Sequence, residues 1–502
     1  MVDQVIQFLR NHHTVKLSPS AIRSVKSARQ VVLSAIESGK TIYGINTGFG
    51  KLSQVRIAPE DLQTLQVNLL RSHACGVGEP IDPEIVRAML YLKIRNLARG
   101  YSGCDPSVIE KLAELFNQNL LPVVPRQGSV GASGDLAPLA HLSLPLIGEG
   151  ELLFENKKYA AAELVKTGLY QPVELGPKDG LSLINGTQYS TALLLTAYRQ
   201  AVELILLSEL AAAMSIEAIL ATDTPFRPEI HQVRGQSGQQ VVARHLSVFV
   251  KDSSIIRSHR DCPKVQDPYS FRCLPQVLGA VRDTLDYVRR VLDCEIDAVT
   301  DNPLVFAGKN EVLSGGNFHA EPLALAADYL TIALAEAGNL AERRISVLMD
   351  PVMSSLPAFL TTKSGLNSGF MIVHCTAAAL AAENRTLSMP ASVETIPTSA
   401  NQEDHVSMAP NAGLKLLRVI ENLQKIIWIE FLAAAQGMDL RRPLKGGRGT
   451  RLGLAKVREL AAFLETDRVL YPDLAQAGKL FNDQAFIRKI TNLANHNEVL
   501  HE

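Results

Sequence analysis

The feature that most constrains the fold is a set of long apolar stretches between about residue 190 and residue 440. Tyr189–Thr222, Pro275–Val299, His319–Met349, Phe370–Leu387 and Gly413–Gly437 hold an apolar pattern over helical lengths that strands do not reach. Several are apolar almost all round and rich in alanine, as in Leu323-Ala324-Leu325-Ala326-Ala327, which predicts helices buried on most faces and packed closely. The expected fold class is therefore mainly α, a large bundle of long helices with minor β. Contact between subunits would absorb part of the apolar surface. The longest apolar candidate, Thr191–Ala221, is interrupted by Arg199, Glu203, Glu209 and Glu217. It fails the test of roughly 20 uncharged residues for a membrane span and reads as a buried helix.

The flanks read differently. Residues 1–188 form an N-terminal region of short helices and loops, in which Ser18-Pro19-Ser20 starts one helix and Asp105-Pro106 another. Between Leu121 and Gly150 four prolines and five glycines predict a long structured loop. Glu151-Leu152-Leu153-Phe154 and Lys158-Tyr159-Ala160 predict a small hairpin around Glu155-Asn156-Lys157. The bundle occupies 189–445, and after Lys445-Gly446-Gly447-Arg448-Gly449 a more charged helical region fills 446–502.

Composition narrows the partner. A chain of 502 residues exceeds what one small core supports, so two or more packed regions are expected. Charged residues make up 20% against a typical share of about 25%, which points to extra buried surface. Fifty basic residues against fifty-one acidic ones, without a long run of either sign, exclude a nucleic-acid or membrane patch and favour a small-molecule partner. Six scattered cysteines, Cys75, Cys104, Cys262, Cys273, Cys294 and Cys375, form no C-x-x-C pair. They read as reduced thiols in a cytoplasmic protein, with no metal site expected. Met1–Arg10 lacks the pattern of a signal peptide.

Chemistry concentrates in Gly128-Ser129-Val130-Gly131-Ala132-Ser133-Gly134-Asp135-Leu136-Ala137-Pro138-Leu139-Ala140. A nucleophile elbow needs glycine two residues after its serine, and Asp135 stands there. A phosphate loop needs a lysine that is absent. A plain Gly-rich connector is the bland reading. A more specific one is that Ala132-Ser133-Gly134 closes on itself. The glycine amide nitrogen is unhindered, the alanine carbonyl is accessible, and the serine hydroxyl can leave. Loss of two waters gives a methylidene-imidazolone ring, an electrophile that no encoded side chain supplies.

Residues 131–140 resemble the signature of the aromatic amino-acid ammonia-lyase and aminomutase family, whose prosthetic group forms from this tripeptide. Further blocks match in order: Tyr43-Gly44-Ile45-Asn46-Thr47-Gly48-Phe49-Gly50, Asn185-Gly186-Thr187-Gln188, Gln266-Asp267-Pro268-Tyr269-Ser270-Phe271-Arg272, Gly315-Gly316-Asn317-Phe318-His319 and Asn401-Gln402-Glu403-Asp404-His405. The resemblance covers about residues 43–408. It implies a 4-methylidene-imidazol-5-one made from Ala132, Ser133 and Gly134, no dissociable cofactor, and a homotetramer whose active sites each draw on three subunits. It makes Tyr43 the first choice for the base that takes the β-proton, with Glu403 as its rival, and a tyrosine base needs its pKa brought down from about 10. It makes Arg272 the clamp for the substrate carboxylate, a role that suits a planar, permanently charged guanidinium. Asn185 and Tyr269 hold the amine and the prosthetic carbonyl, while Gln266 and Phe318 complete the wall. Asp135 is either a helper of ring closure or a helix N-cap.

The same resemblance bears on the substrate. The pair preceding Ala74 is Ser72-His73, similar to the form that accepts an imidazole, with His73 and Glu403 as hydrogen-bond partners that a phenyl ring would leave unsatisfied. The implied reaction converts L-histidine to urocanate and ammonia, the first step of histidine degradation. An aminomutase would use the same electrophile and return the ammonia to the β-carbon. A fumarase-type lyase is disfavoured because Ser388-Met389-Pro390 is followed by Ala391-Ser392-Val393 without the lysine such a loop carries. A helical scaffold without chemistry leaves the Gly-rich, polar blocks unexplained.

Overall fold

The apolar stretches fold as long helices. In the computed structural model, which describes residues 1–39, 41–48, 50–260 and 265–495, they become Gln188–Ala218, Leu274–Glu295, Glu321–Met349, Met371–Leu387 and Ala409–Asp439. The molecule is mainly helical, with 62% helix and 6% strand. Among the described residues no helix is long and apolar enough to cross a membrane. Cys75, Cys104, Cys273, Cys294 and Cys375 are free thiols; Cys262 and Phe49 lie outside the described residues.

The local start signals act as read. Ser18 Oγ accepts from the Ala21 amide at 3.1 Å to open the helix Pro19–Glu37, and Asp105 accepts from the Ser107 amide at 3.0 Å to open Pro106–Asn117. The Pro- and Gly-rich stretch departs from the expected loop: it contains the helix Leu136–Ser143 and a 3-10 turn at Leu144–Ile147. Pro138 is tolerated because it sits in the first helical turn, where its missing N–H has no partner to lose.

Strand content is small, as expected. Glu151–Phe154 pairs antiparallel with Lys157–Ala160, one residue tighter than predicted. The two connecting residues, Glu155 and Asn156, both adopt left-handed φ, +48° and +62°, as a type I′ turn requires. Leu121–Pro122 adds a third strand to this sheet. Two further pairs, Val77–Pro80 with Pro125–Gln127 and Leu304–Phe306 with Glu311–Leu313, are too short to show an alternating pattern in sequence.

In space the chain forms two compact units, each built from three separated stretches. The first comprises Met1–Thr196, Arg289–Asp328 and Pro390–Leu414; the second comprises Ala197–Val288, Tyr329–Met389 and Lys415–Glu502. Within the second, Gly437 lets its helix come close, since a Cβ there would lie 2.8 Å from the Ala218 Cβ. Of the charges that interrupt the apolar run, Glu209 is paired, and a second buried pair lies elsewhere in the same unit. Arg282 donates twice to fully buried Glu209, at 2.6 and 2.9 Å, and His245 Nδ1 lies 2.7 Å from the same carboxylate. Arg344 meets Glu430 at 2.5 and 2.7 Å, both fully buried, and Ser215 Oγ donates to Glu430 at 2.9 Å. Buried charges need such close opposite partners to offset desolvation.

Candidate functional site

The Ala132-Ser133-Gly134 tripeptide is clamped from two sides inside the first unit. Gly134 takes φ +78°, and a Cβ on it would fall 2.3 Å from the Gly186 carbonyl oxygen, so this position accepts only glycine. The Asp135 amide donates to that same carbonyl at 2.8 Å. On the other side Ser407 Oγ donates to the Gly131 carbonyl at 3.1 Å, and Ala132 packs with Val406 and Met408. The loop is therefore held as tightly as a core element, although its residue types suggest a flexible connector.

Asp135 stands at the N-cap position of Leu136–Ser143 but makes no capping bond to that helix. Its buried carboxylate instead accepts from the Ser190 amide at 2.8 Å and the Ser190 hydroxyl at 2.9 Å, inside the first turn of the long helix Gln188–Ala218. Burial pushes its pKa up to about 6, against the hydrogen bonds from Ser190 that pull it down.

Ser133 is the junction of the site. Its carbonyl accepts from Asn185 Nδ2 at 2.9 Å, and its hydroxyl donates to Glu403 Oε1 at 2.7 Å. Glu403 Oε2 in turn accepts from Thr398 Oγ1 at 2.7 Å. Three successive non-glycine residues just before Glu403, namely Ser399, Ala400 and Asn401, hold left-handed φ between +51° and +64°. Such conformations persist only where the surroundings enforce them, and they cluster at working sites.

These groups open onto a cavity of about 1050 Å³. Tyr43, His73, Ala132, Ser133, Asn185, Phe318 and Glu403 all line it, so the structure brings these expected residues together. His73 Nδ1 lies 2.9 Å from the Leu69 carbonyl, which fixes the proton on that nitrogen and leaves Nε2 as an acceptor. Burial lowers the His73 pKa, partly offset by the Leu69 bond and by Glu403, so the ring is neutral at pH 7. Tyr43 behaves contrary to the requirement for a base. Burial raises its phenol above the usual range, Glu403 raises it further, and the Gly50 amide only partly offsets this.

Gln266, Tyr269 and Arg272 are not among the lining residues. They belong to the second unit, where Gln266 is exposed and Tyr269 is 72% exposed. The Arg272 guanidinium lies 4.8 Å from the Tyr269 ring centroid, a cation–π contact within one helical turn.

Sequence reading passed over Lys93. It is fully buried, donates to the Asn185 carbonyl at 2.8 Å and to the Ser182 carbonyl at 3.2 Å, and so fixes the turn that aims Asn185. Burial lowers its pKa to about 8 despite nearby Asp301. A single cation inside Met89-Leu90-Tyr91-Leu92-Lys93-Ile94 was the available signal. Thr398, which anchors Glu403, carried none.

Known proteins resemble this chain in sequence and fold. The family described as aromatic amino acid lyase matches residues 1–459. A histidine ammonia-lyase of Vibrio cholerae is 49% identical over 480 residues, covering 95% of this chain and 94% of that protein. The crystal structure of histidine ammonia-lyase from Trypanosoma cruzi superposes with a TM-score of 0.89 at 41% identity, over 98% of this chain and 94% of that one. A tyrosine aminomutase from Streptomyces globisporus superposes with a TM-score of 0.93 at 34% identity, over 99% and 98%. With a family match through most of its length and relatives this similar from end to end, the chain belongs to the aromatic amino acid lyase family.

Proposed function

We propose that this chain is a carbon–nitrogen lyase that converts L-histidine to urocanate and ammonia, opening histidine degradation. The observation that carries the reading is the single cavity in which Ser133 meets Glu403 at 2.7 Å while neutral His73 lines the same space. Relatives named histidine ammonia-lyase at 49% identity support the choice of substrate.

The residues fit a prosthetic ring closed from Ala132-Ser133-Gly134. Gly134 lacks the Cβ that its left-handed, crowded position forbids, and Asn185 already holds the Ser133 carbonyl. The ring, once formed, supplies the electrophile that turns the α-amine into a leaving group. Around it His73 Nε2 accepts a hydrogen bond from the substrate imidazole, and the Glu403 carboxylate meets the other side of that ring or the β-proton. Tyr43 is the second group offered to that proton. Phe318 closes the apolar wall beside the imidazole.

Gln266, Tyr269 and Arg272 complete the site as a homotetramer forms, with Arg272 clamping the substrate carboxylate through a bidentate pair. Support comes from the exposure of Gln266 and Tyr269 in the single chain and from apolar side chains left outward on the long helices, such as Ile372 at 66% and Tyr329 at 46% exposed. The enzyme works in the cytoplasm on a free amino acid.

The test is growth of urocanate absorbance when purified protein meets L-histidine, beside L-phenylalanine and L-tyrosine. Growth with histidine alone is expected. Growth with another amino acid would overturn the part given to Ser72-His73, and a β-amino acid accumulating in place of urocanate would make the protein an aminomutase.

A further inference from the structure

We propose that His319, Glu321 and His405 form a binding site for one divalent transition-metal cation of the zinc type, set in the wall of the reaction cavity. One ligand atom from each of the three side chains lies within 4.8 Å of the other two. The two imidazole rings stack at 5.5 Å between centroids, inclined by 30°. His319 Nε2 and Glu321 Oε2 are both buried without a hydrogen-bond partner. Two orphaned polar atoms of complementary ligand chemistry, one on each of two members of the trio, are what a cation would satisfy.

The donor set selects the ion. Two imidazoles and one carboxylate suit zinc or its first-row neighbours, whereas magnesium and calcium favour oxygen ligands. Donors around a tetrahedral zinc with bonds of about 2.0–2.1 Å stand roughly 3.4 Å apart, so a trio within 4.8 Å closes by no more than about 1.4 Å on binding. His405 is exposed. His319 is positioned by a turn in which its amide donates to the Gly316 carbonyl at 2.9 Å, and Glu321 opens the helix Glu321–Met349.

Three protein ligands leave at least one coordination position for water or another small ligand. His319 and His405 both line the cavity, and His405 lies two residues beyond Glu403. A bound cation would join the segment that carries Phe318 to the segment that carries Glu403, linking two walls that the chain supplies separately.

The experiment uses the full-length protein after chelator treatment, titrated with Zn2+ by calorimetry and analysed for metal after dialysis. Cobalt(II) serves as the spectroscopic probe. Expected are one ion per chain and visible cobalt bands without sulfur-to-cobalt charge transfer. Binding should weaken at least tenfold in Glu321→Gln and in His405→Ala, each with an unchanged circular dichroism spectrum and metal-free melting temperature. Absence of binding to the wild-type chain at micromolar Zn2+ would overturn the proposal. So would a charge-transfer band assigning the ion to thiolates, or undiminished binding in both folded variants.

Discussion

The cavity of the first unit and the segment 265–272 of the second contribute residues to one proposed reaction but are built to different degrees. Around Ser133 the side chains of Asn185, Glu403, Thr398 and His73 are each engaged at 2.7–2.9 Å, over backbone that tolerates no Cβ at Gly134. In 265–272, Asp267 and Phe271 are buried, but Val265 is 94% and Tyr269 72% exposed, and the Arg272 guanidinium rests on the Tyr269 ring one helical turn before it. One half is preorganised by a single chain's core. The other is presented outward, which an assembly needs when a residue must reach a site in another copy.

The sharpest way to break this contrast is Ser133→Ala. It should lower turnover of histidine by at least about 10³-fold and abolish the near-ultraviolet difference of the cyclised loop; activity within tenfold of wild type would mean that the built half is not the reacting half. Next, Glu403→Gln and Tyr43→Phe should each lower kcat by about 10²–10⁴-fold. The two are told apart by exchange of the substrate β-hydrogen with deuterated solvent, which disappears only when the proton-taking group is the one removed.

The outward half is sharpened by Arg272→Lys, expected to raise the KM for histidine by roughly 10- to 100-fold with a smaller change in kcat. Mixing then decides where it acts. Inactive Ser133→Ala chains and inactive Arg272→Ala chains, co-assembled at equal amounts, should regain about a quarter of the wild-type sites if the two halves come from different copies. If each chain completed its own site, the mixture would stay inactive.

The smallest effect concerns the anchor beneath the loop. The Asp135 pKa is raised from 3.8 to about 6, chiefly by burial, so the folded state holds its proton more tightly than the unfolded chain does. Its stabilising protonated form is fully present below about pH 4, and that contribution is lost as the pH rises through 6. The loss is on the order of 3 kcal/mol. Denaturant melts should show this decline in the wild type and a flatter profile in Asp135→Asn; identical slopes would remove Asp135 as its source.

The architecture was legible because long helices leave a periodic apolar record: the stretches read at 189–222 and 413–437 became Gln188–Ala218 and Ala409–Asp439. The strands at Val77–Pro80 and Leu304–Phe306 were not, since three or four residues carry no usable alternation. The helix at Leu136–Ser143 was hidden because proline density argues against helix everywhere except in the first turn, where Pro138 lies. For the site, residues in conspicuous blocks were legible. Lys93 was not, because it holds Asn185 from 92 residues away in sequence, and Thr398 was not, because a lone threonine five residues from Glu403 carries no distinguishing pattern. The outward setting of Gln266 and Tyr269 was equally invisible, since exposure is a property of packing and not of residue type.

The central claim is that this cavity is organised around a tripeptide that has closed on itself. The most direct measurement is the mass of the peptide spanning Gly128 to Ala140, isolated from a preparation that deaminates histidine. The account predicts a peptide lighter than its sequence by two water molecules, and full sequence mass in Ser133→Ala. A peptide of unaltered mass from fully active protein would contradict it.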